Sequence, residues 1–423
     1  MKKAVIFGCG MLGKTAYPIL SKLFNIVAFS DNNSSLWGSN MDVIKTQIVP
    51  PIQIPELIGN DGMVIICSYY HYGEIARQLE NMKIPLNYSV FIDNTIVGYN
   101  SKKGIILADY YKNIKIKPER LFIELSSKCN IHCRYCPLFA EKSIQTSELQ
   151  EYMKWDVVKA IAEQAKKIST FKHLMVSGRG EALMNPDWYN MISHIIRETT
   201  IEDVCIYTNG MALSKDNVDK LSKLDCKCLL LRISIDGLSP NDSEYWRYGS
   251  SYSIIKENLK YAIKILKKKT EIMICNTCVL PAGCRENEYY KILRLIEPYG
   301  DYLRAEFPEA IVWSHPAFAY SMEVDGAEVL EIDDINYIPL CKNRFNLIGV
   351  WVTGDIISCP TSIAAIADTI VMGNVLQDNL YDVWMNNTQV NKIRNSFYKG
   401  YPECSDYCET KAWSKKRILV RKK

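Results

Sequence analysis

Residues 121–137 read LFIELSSKCNIHCRYCP, an apolar segment followed at once by Cys129, Cys133 and Cys136 in the spacing C-x3-C-x2-C. A short apolar run bounded by polar residues is typical of a buried β-strand. Three thiolates this close together can bind one face of a metal ion or of an iron–sulfur cluster. The segment therefore predicts a strand that carries metal ligands just beyond its carboxyl end.

Three kinds of site can contain such cysteines: a disulfide, a zinc loop or a cluster. The chain begins MKKAVIFGCG, where glycines interrupt the apolar run, so a strand and a glycine turn explain this start better than a signal peptide. In a cytosolic protein thiols stay reduced, which favours metal ligands over disulfides. Structural zinc sites use a second cysteine pair that is not found locally here, whereas three ligands on a [4Fe–4S] cluster leave one iron open. A zinc loop stays the alternative.

Composition limits the class of protein. The chain has 423 residues, 48% of them hydrophobic and 23% charged, which predicts a folded protein of two or three domains. A net charge of +4 at this length does not indicate a nucleic-acid or membrane partner. No stretch approaches the roughly 20 apolar residues of a membrane-spanning helix. We expect a cytoplasmic protein.

The chain divides into three predicted domains of α/β character. Strand-like segments alternate with helices over residues 1–100, which predicts a Rossmann-like parallel sheet, and a basic linker follows at 101–117. Six strand-like segments over residues 118–330 predict a central partial (β/α)6 TIM-like barrel, whose active site would lie at the carboxyl ends of the strands. Residues 331–423 predict a small α+β domain.

Individual elements are predicted as follows. The first domain has strands at 4–8, 25–31, 63–70 and 88–93 and a helix at 11–24. The barrel has strands at 121–127, 173–178, 203–209, 228–236, 271–280 and 302–309, with helices at 155–167, 187–199, 214–224, 254–269 and 287–298. The last domain has a hairpin at 347–360, a helix-like stretch at 377–397 and a basic tail at 415–423, which we expect to be a solvated run of charge.

The cysteine loop, including Tyr135 before its last cysteine, resembles the cluster motif of the radical S-adenosylmethionine (SAM) superfamily. The resemblance implies that Cys129, Cys133 and Cys136 bind a [4Fe–4S] cluster, and that SAM chelates the fourth iron. Reductive cleavage of SAM then gives a 5′-deoxyadenosyl radical, which abstracts hydrogen from a substrate. It also implies a flavodoxin or ferredoxin-type electron donor.

A second segment, SGRGEALMNPDW (177–188), resembles the glycine-glycine-glutamate segment that binds the methionyl amino group of SAM in this superfamily. Gly180 and Glu181 match it. Arg179 stands where the first glycine is usual, and Ala182 replaces the usual proline. Glycine suits a position where backbone approaches a ligand closely.

The segment SIDG (234–237) resembles the ribose-binding segment of the superfamily. Ser234 and Asp236 alternate onto one face of a strand, where both can bind ribose hydroxyls. Arg247 lies downstream, where a guanidinium can pair with the SAM carboxylate. TNG (208–210) ends another strand, as in many relatives. A turn or cap remains an alternative for each motif alone.

A second set of cysteines lies in the last domain: Cys341, Cys359, Cys404 and Cys408. The pattern resembles the twitch or SPASM extension of radical SAM enzymes, which implies an auxiliary [4Fe–4S] cluster; a zinc site is the alternative. A fully ligated cluster would accept an electron from a substrate radical, which favours net oxidation. Cys275 and Cys278 lie on the fifth barrel strand, where either can donate hydrogen to a substrate radical, although packing is an alternative role.

The motif GCGMLG (8–13) places Gly8, Gly10 and Gly13 after a strand and at the start of a helix, with Asp31 ending the next strand. This is the context of a dinucleotide fingerprint. The domain resembles small Rossmann-like domains of sugar-modifying enzymes, which implies a nucleotide or nucleotide-sugar ligand. A purely architectural role stays open.

Together these features predict a radical SAM oxidoreductase (dehydrogenase) or epimerase with two [4Fe–4S] clusters. We expect it to abstract hydrogen from a hydroxyl-bearing carbon of a sugar or nucleotide-sugar, giving oxidation or epimerisation. One alternative is a radical SAM peptide maturase. Another, from a different class, is a non-catalytic iron–sulfur or zinc protein whose Rossmann-like module senses a ligand.

Overall fold

The structure is a computed structural model that describes most of the chain. The described residues are 1–41, 46–68, 71–84, 88–92, 95–97, 114–139, 151–266, 270–287, 289–319, 323–332, 343–359, 370–398 and 416–422.

The first domain contains a six-stranded sheet. Its strands are β1 (Lys3–Phe7), β2 (Asn25–Ser30), β3 (Ile48–Val49), β4 (Met63–Ile66), β5 (Tyr88–Ile92) and β6 (Thr95–Val97), in the spatial order β3-β2-β1-β4-β5-β6. The pairs from β3 to β5 are parallel and β6 is antiparallel to β5. Its helices are Met11–Leu20, Ile54–Ile58 and Tyr72–Asn81, with 3-10 turns at Ser34–Leu36 and Pro51–Gln53. All four predicted strands are present; β3 and β6 were missed, because two or three residues give no readable alternation.

The second sheet begins with six parallel strands that neighbour one another in chain order. They are β7 (Arg120–Ile123), β8 (His173–Val176), β9 (Asp203–Thr208), β10 (Cys228–Ser234), β11 (Thr270–Cys278) and β12 (Ile311–Pro316). Helices of this region are Trp155–Ala165, Trp188–Glu198, Lys215–Ser222, Pro240–Trp246, Tyr252–Ile265, Tyr289–Ile296 and Asp301–Glu306, with 3-10 turns at Ala182–Met184 and Glu297–Gly300. Serine N-caps begin two of these helices, because the hydroxyls of Ser214 and Ser239 accept backbone N–H groups of the first turn.

The prediction of a sixth strand at 302–309 is wrong, because residues Asp301–Glu306 form a helix and the sixth strand is β12. Leu303 and Phe307 are both fully buried and lie four residues apart, the spacing of one helix face. Arg304 forms an ion pair with Asp301 at 2.6 Å, three residues earlier. An apolar residue at every second position had imitated a strand.

The last domain continues the second sheet. The strands β14 (Leu347–Val350), β15 (Asp355–Ile357) and β16 (Val371–Asn374) follow β13 (Ala327–Ile332) along the chain, and β14 lies parallel beside β7, with β15 and β16 antiparallel beyond it. The predicted hairpin is therefore present. The helices are Asn343–Asn346, Leu380–Asn386 and Thr388–Tyr398, so the predicted stretch at 377–397 is two helices that meet at Asn387, whose side chain accepts the N–H of Val390.

The basic tail is a correction to the sequence analysis. Residues Lys416–Arg421 form a strand, β17, which pairs antiparallel with β13. Ile418, Leu419 and Val420 are fully buried, so both faces of the strand contact core residues and only its ends are basic. Three apolar residues between charged ones were too short a run to distinguish from a solvated tail.

The helices cover one face of the second sheet. Leu229, Leu231 and Ile233 of β10 belong to the core that includes helix residues, so the alternating residues Leu230, Arg232 and Ser234 lie on the opposite face, named here the inner face. The fold is thus mixed α/β with a parallel sheet. Closure into a partial barrel, the Rossmann-like assignment and the domain boundaries remain predictions. In the described part of the chain, no helix has the length and hydropathy needed to cross a bilayer.

We predict that Leu419→Ala lowers the free energy of unfolding by about 2–5 kcal/mol, because it leaves a cavity in a closely packed core. Urea denaturation measures the change. Lys422→Ala, three residues further on at an exposed position, serves as the control and is expected to change it by less than about 0.5 kcal/mol. Equal effects of the two substitutions would show that β17 does not pack as described.

Candidate active site

The cysteine loop follows β7 and is held by the segment after helix Pro240–Trp246. The N–H of His132 donates to the carbonyl of Tyr248 at 2.7 Å, and the N–H of Arg134 donates to the carbonyl of Trp246 at 2.8 Å. The Arg134 guanidinium lies 4.3 Å from the ring centroid of Tyr245. These contacts give the three cysteines a fixed backbone at the carboxyl ends of the parallel strands.

Burial determines the protonation of the cysteine loop. It raises the pKa of Cys133 to about 12 and raises the pKa of Cys129 and Cys136, while the nearby Arg247 guanidinium opposes this shift. Metal ligands must be thiolates, so binding of a metal centre by these cysteines would release protons. The amide nitrogen of Asn209 lies 3.9 Å from Cys129 Sγ, within reach of an N–H···S bond.

Asp236 joins the cysteine loop to two neighbouring strands. Its carboxylate is fully buried and accepts hydrogen bonds from the hydroxyl of Tyr135, from Arg247 Nη1 at 3.2 Å and from the N–H of Thr277 at 3.2 Å. Burial, and then the charge of Asp236, raise the pKa of Tyr135. The structure therefore brings together Tyr135, Asp236 and Arg247, while their role in binding SAM remains a prediction. Ser234 lies on the inner face, paired with Cys275 in the register of β10 and β11.

Glu181 is buried beside the start of the cysteine loop. Its carboxylate accepts hydrogen bonds from Asn209 N–H at 2.7 Å, Thr208 Oγ1 at 2.9 Å and Leu183 N–H at 3.3 Å. Burial raises the pKa of Glu181, and these three donors oppose the shift. At Gly180 a Cβ would lie 2.1 Å from the carbonyl oxygen of Lys128, so this glycine permits close contact with the loop backbone.

Arg179, which stands where the superfamily has glycine, forms a buried ion pair that the sequence did not predict. Its backbone N–H and its Nε donate to Glu124 Oε1 at 2.6 and 2.8 Å, and its Nη2 donates to Oε2 at 2.5 Å. Both side chains are almost fully buried. The N–H of Val352 donates to the same carboxylate at 3.2 Å, and the guanidinium lies 4.2 Å from the Trp351 ring centroid. In the sequence, the only sign of this ion pair was an arginine at a position where glycine is usual.

The two cysteines predicted as hydrogen donors lie on opposite faces of β11. The charged groups that influence Cys275 are Arg232, Asp236 and Arg247, which places its thiol near the Asp236 network. Burial raises the pKa of Cys275 to about 12. Cys278 is fully buried among Leu280, Ile292 and first-domain residues. The structure thus separates the pair.

Other polar groups lie on the inner face near these residues. Thr277 Oγ1 is 3.2 Å from His315 Nε2, and His315 Nδ1 is 3.2 Å from the Pro316 carbonyl, which can only accept a hydrogen bond. His315 Nε2 is therefore an acceptor in the neutral ring. Deeper in the sheet, Arg232 Nη1 donates to Tyr207 Oη at 2.8 Å.

Of the second cysteine set, only Cys359 lies within the described residues; Cys341, Cys404 and Cys408 lie outside them. Cys359 follows β15 and is 6% exposed. The amide nitrogen of Asn343 lies 3.9 Å from its Sγ. Among the described residues, no three His, Cys, Asp or Glu side chains converge as the ligands of one metal ion would.

The three glycines of the first-domain motif differ in the space around them. A Cβ at Gly8, where φ is +114°, would lie 2.4 Å from the Cys67 carbonyl, and one at Gly13 would lie 2.0 Å from the Gly8 carbonyl. A Cβ at Gly10 would meet nothing within 4 Å. Asp31 accepts the N–H groups of Cys9 at 2.8 Å and Asn33 at 2.9 Å. The motif and Asp31 are therefore adjacent, with open space at Gly10.

Comparison with protein families identifies the domains. The radical SAM superfamily model matches residues 123–296, and the model of an iron–sulfur cluster-binding domain, SPASM, matches residues 341–409. A model described as "C2185-like, N-terminal" matches residues 1–90. The chain thus contains a radical SAM domain and a SPASM domain, which confirms those two assignments, supports an enzymatic function and implies SAM and iron–sulfur clusters as cofactors.

Individual proteins are similar over parts of the chain. A probable GTP 3',8-cyclase of Methanosarcina acetivorans is 26% identical over 203 residues, which are 47% of this chain and 56% of that relative. The structure of BtrN in complex with AdoMet and 2-DOIA has a TM-score of 0.43 and 18% identity, covering 70% of this chain and 93% of BtrN. Streptococcus suis SuiB bound to precursor peptide SuiA has a TM-score of 0.47 and 16% identity, covering 80% and 84%. This chain therefore spans about half the length of the curated relative.

We predict that Glu124→Ala lowers the free energy of unfolding by about 3–5 kcal/mol, because it leaves the Arg179 guanidinium buried without its partner. The double variant Glu124→Leu/Arg179→Met removes both charges and is expected to recover much of that loss. Urea denaturation of Glu124→Leu, Arg179→Met and the double variant gives the coupling energy. A coupling energy near zero would contradict a buried pair.

Proposed function

We propose that this protein is a radical SAM enzyme that abstracts hydrogen from a hydroxyl-bearing carbon of a sugar or nucleotide-sugar, leading to oxidation or epimerisation. The observation that carries the proposal is the Asp236 network, which ties the cysteine loop to the ends of β10 and β11. The SAM-binding cluster would supply the radical for hydrogen abstraction, and the SPASM cluster an electron acceptor. All other roles in the proposed reaction are assigned to side chains of this protein.

The residues around the cysteine loop fit this cofactor set. Cys129, Cys133 and Cys136 are three thiol donors on one loop, and Arg247 supplies positive charge beside them. Their side chains, all within the described part of the chain, do not converge as the ligands of one metal ion, so binding a cluster would draw the three thiols together. Arg247 Nε is buried and has no hydrogen-bond partner among the described residues, so it is a donor that a carboxylate such as that of SAM can use. We assign Gly180, Glu181, Ser234, Asp236 and Tyr135 to the surroundings of SAM.

The inner face supports a hydroxyl-bearing substrate. Thr277 Oγ1 and His315 Nε2 form a relay that can accept the proton of a substrate hydroxyl. Oxidation to a carbonyl requires loss of this proton, together with one electron to the auxiliary cluster, after the hydrogen atom has been abstracted from carbon. The relay is bonded to the Asp236 network, because the N–H of Thr277 donates to that carboxylate. A relative named for GTP is consistent with a substrate that carries a nucleotide.

The first domain is the proposed binding site for the nucleotide part. Gly8 and Gly13 permit close packing of strand and helix, and Gly10 leaves open space where backbone can approach a diphosphate. The predicted domain boundaries, 1–100, 118–330 and 331–423, are part of this proposal. The strand β13 crosses the last of these boundaries.

Anaerobic reconstitution tests the enzymatic proposal. We expect about eight irons per chain, as two four-iron clusters require, and formation of 5′-deoxyadenosine from SAM and dithionite. A nucleotide-sugar substrate, identified from a panel, should increase that formation. Two tightly bound zinc ions and no SAM cleavage would contradict the proposal. A peptide that is modified in place of any sugar would favour a maturase.

Cys275→Ala distinguishes the two outcomes of the reaction. The raised pKa keeps Cys275 protonated at neutral pH, as a hydrogen donor must be. If the enzyme epimerises its substrate in D2O, the wild type places solvent deuterium in the product and the variant loses the inverted product. If it oxidises the substrate, both form a carbonyl product. Cys278→Ala, on the other face of the strand, is the matched control.

We predict that full-length protein binds a nucleotide-sugar and that Gly10→Val weakens binding at least tenfold, because the side chain fills the space beside the glycine turn. Isothermal titration calorimetry measures the affinity, and circular dichroism checks that the variant is folded. Ile52→Val, at an exposed position of the same domain, is the control. Undiminished binding by the Gly10→Val variant would contradict a nucleotide-sugar site at the glycine motif.

A further inference from the structure

Cys359 of the SPASM domain has an amide donor beside its sulfur, and the orientation of that amide is determined by its surroundings. Asn343 Nδ2 is 3.9 Å from Cys359 Sγ, and Asn343 Oδ1 accepts from Arg120 Nη2 at 2.7 Å. A guanidinium only donates hydrogen bonds, so the oxygen of the amide must face Arg120. The N–H group of the same amide therefore faces the sulfur.

Arg120 holds this amide from a different domain. It lies at the start of β7, and its Nη2 also donates to Asn346 Oδ1 at 2.7 Å. The two asparagines begin and end the short helix Asn343–Asn346, so Arg120 anchors both ends of this helix. Leu347, the next residue, pairs with Arg120 in the sheet register. The position of Asn343 thus depends on the radical SAM sheet.

The surroundings of this helix are positively charged and buried. Arg344 Nη1 donates to the hydroxyl of Ser358, the residue before Cys359. Arg394 is fully buried, and its Nε donates to the Arg344 carbonyl at 2.7 Å. Among the described residues, no carboxylate bonds to Arg394, and burial lowers the pKa of Arg394 to about 10. The Arg344 guanidinium thus lies beside the residue that precedes Cys359, where positive charge would suit an anionic iron–sulfur centre.

We propose that Asn343 donates an N–H···S hydrogen bond to the Cys359 ligand of the auxiliary cluster and raises the reduction potential of that cluster, with Arg120 as the positioning residue. The inference rests on the proposed function, because it takes Cys359 as a cluster ligand. Hydrogen bonds to the sulfurs stabilise the more negative, reduced form, so they favour electron uptake. This would suit the auxiliary cluster to accept an electron from substrate.

The experiment isolates the auxiliary cluster. In a background of Cys129→Ala, Cys133→Ala and Cys136→Ala, the full chain keeps the second cysteine set as its only proposed cluster ligands. A potentiometric titration followed by electron paramagnetic resonance then measures one cluster. We expect Asn343→Leu to lower the equilibrium constant for one-electron uptake about tenfold, which is about 59 mV in midpoint potential. Arg120→Met should lower it by a smaller factor.

Asn346→Leu is the matched control, since it removes the other acceptor of Arg120 without touching Cys359, and its potential should equal that of the background protein. Asn343→Asp keeps the acceptor for Arg120 but removes the donor, so it should also lower the potential. Asn343→Asp is the variant to measure if Asn343→Leu does not retain about four irons per chain. An unchanged potential in an Asn343 variant that keeps its irons, or an equal shift in Asn346→Leu, would overturn the proposal. Loss of all iron from the background protein would instead refute the auxiliary cluster itself, and with it this inference.

Discussion

The buried ion pair of Glu124 and Arg179 is the interaction on which the arrangement of the site depends. Glu124 follows β7 directly and precedes the cysteine loop, whereas Arg179 precedes Gly180 and Glu181. The same carboxylate accepts the N–H of Val352 in the hairpin of the last domain. Removing two charges from water is costly, and such a pair is stable only when hydrogen bonds satisfy the buried groups. Here three donors of Arg179 and the N–H of Val352 satisfy the carboxylate of Glu124.

The strand β7 adjoins both proposed metal sites because the second sheet is continuous across two domains. Its carboxyl end leads into the cysteine loop, and its first residue, Arg120, reaches Asn343 beside Cys359. This is possible because β14 pairs with β7 in parallel, so residues before the SPASM hairpin lie beside residues that start the radical SAM sheet. A shift of register by one residue would separate Arg120 from Asn343, since alternate side chains point to opposite faces.

The first domain packs against the radical SAM region through apolar residues. Val5, Phe7 and Val64 belong to one core cluster with Cys278 and Leu280 of the second sheet. The hydrophobic effect that buries this surface is non-directional, so no sequence motif predicts the contact. Cys278 was therefore predicted beside Cys275 as a hydrogen donor, although a separation of three residues on a strand places the two thiols on opposite faces.

The sequence by itself determined most of the strands and helices and the spacing of the cysteine loop, because each depends on local periodicity or on ligand spacing. It also carried the glycine motif, whose three positions meet three different surroundings in the structure. Tertiary structure alone decided the buried role of the basic tail, the helix at Asp301–Glu306 and the partners of Arg179 and Asn343. Those features depend on contacts between residues far apart in the chain, as Arg120 and Asn343 are. Whether a segment with both charged and apolar residues is exposed or packs in the core is decided by burial, not by local propensity.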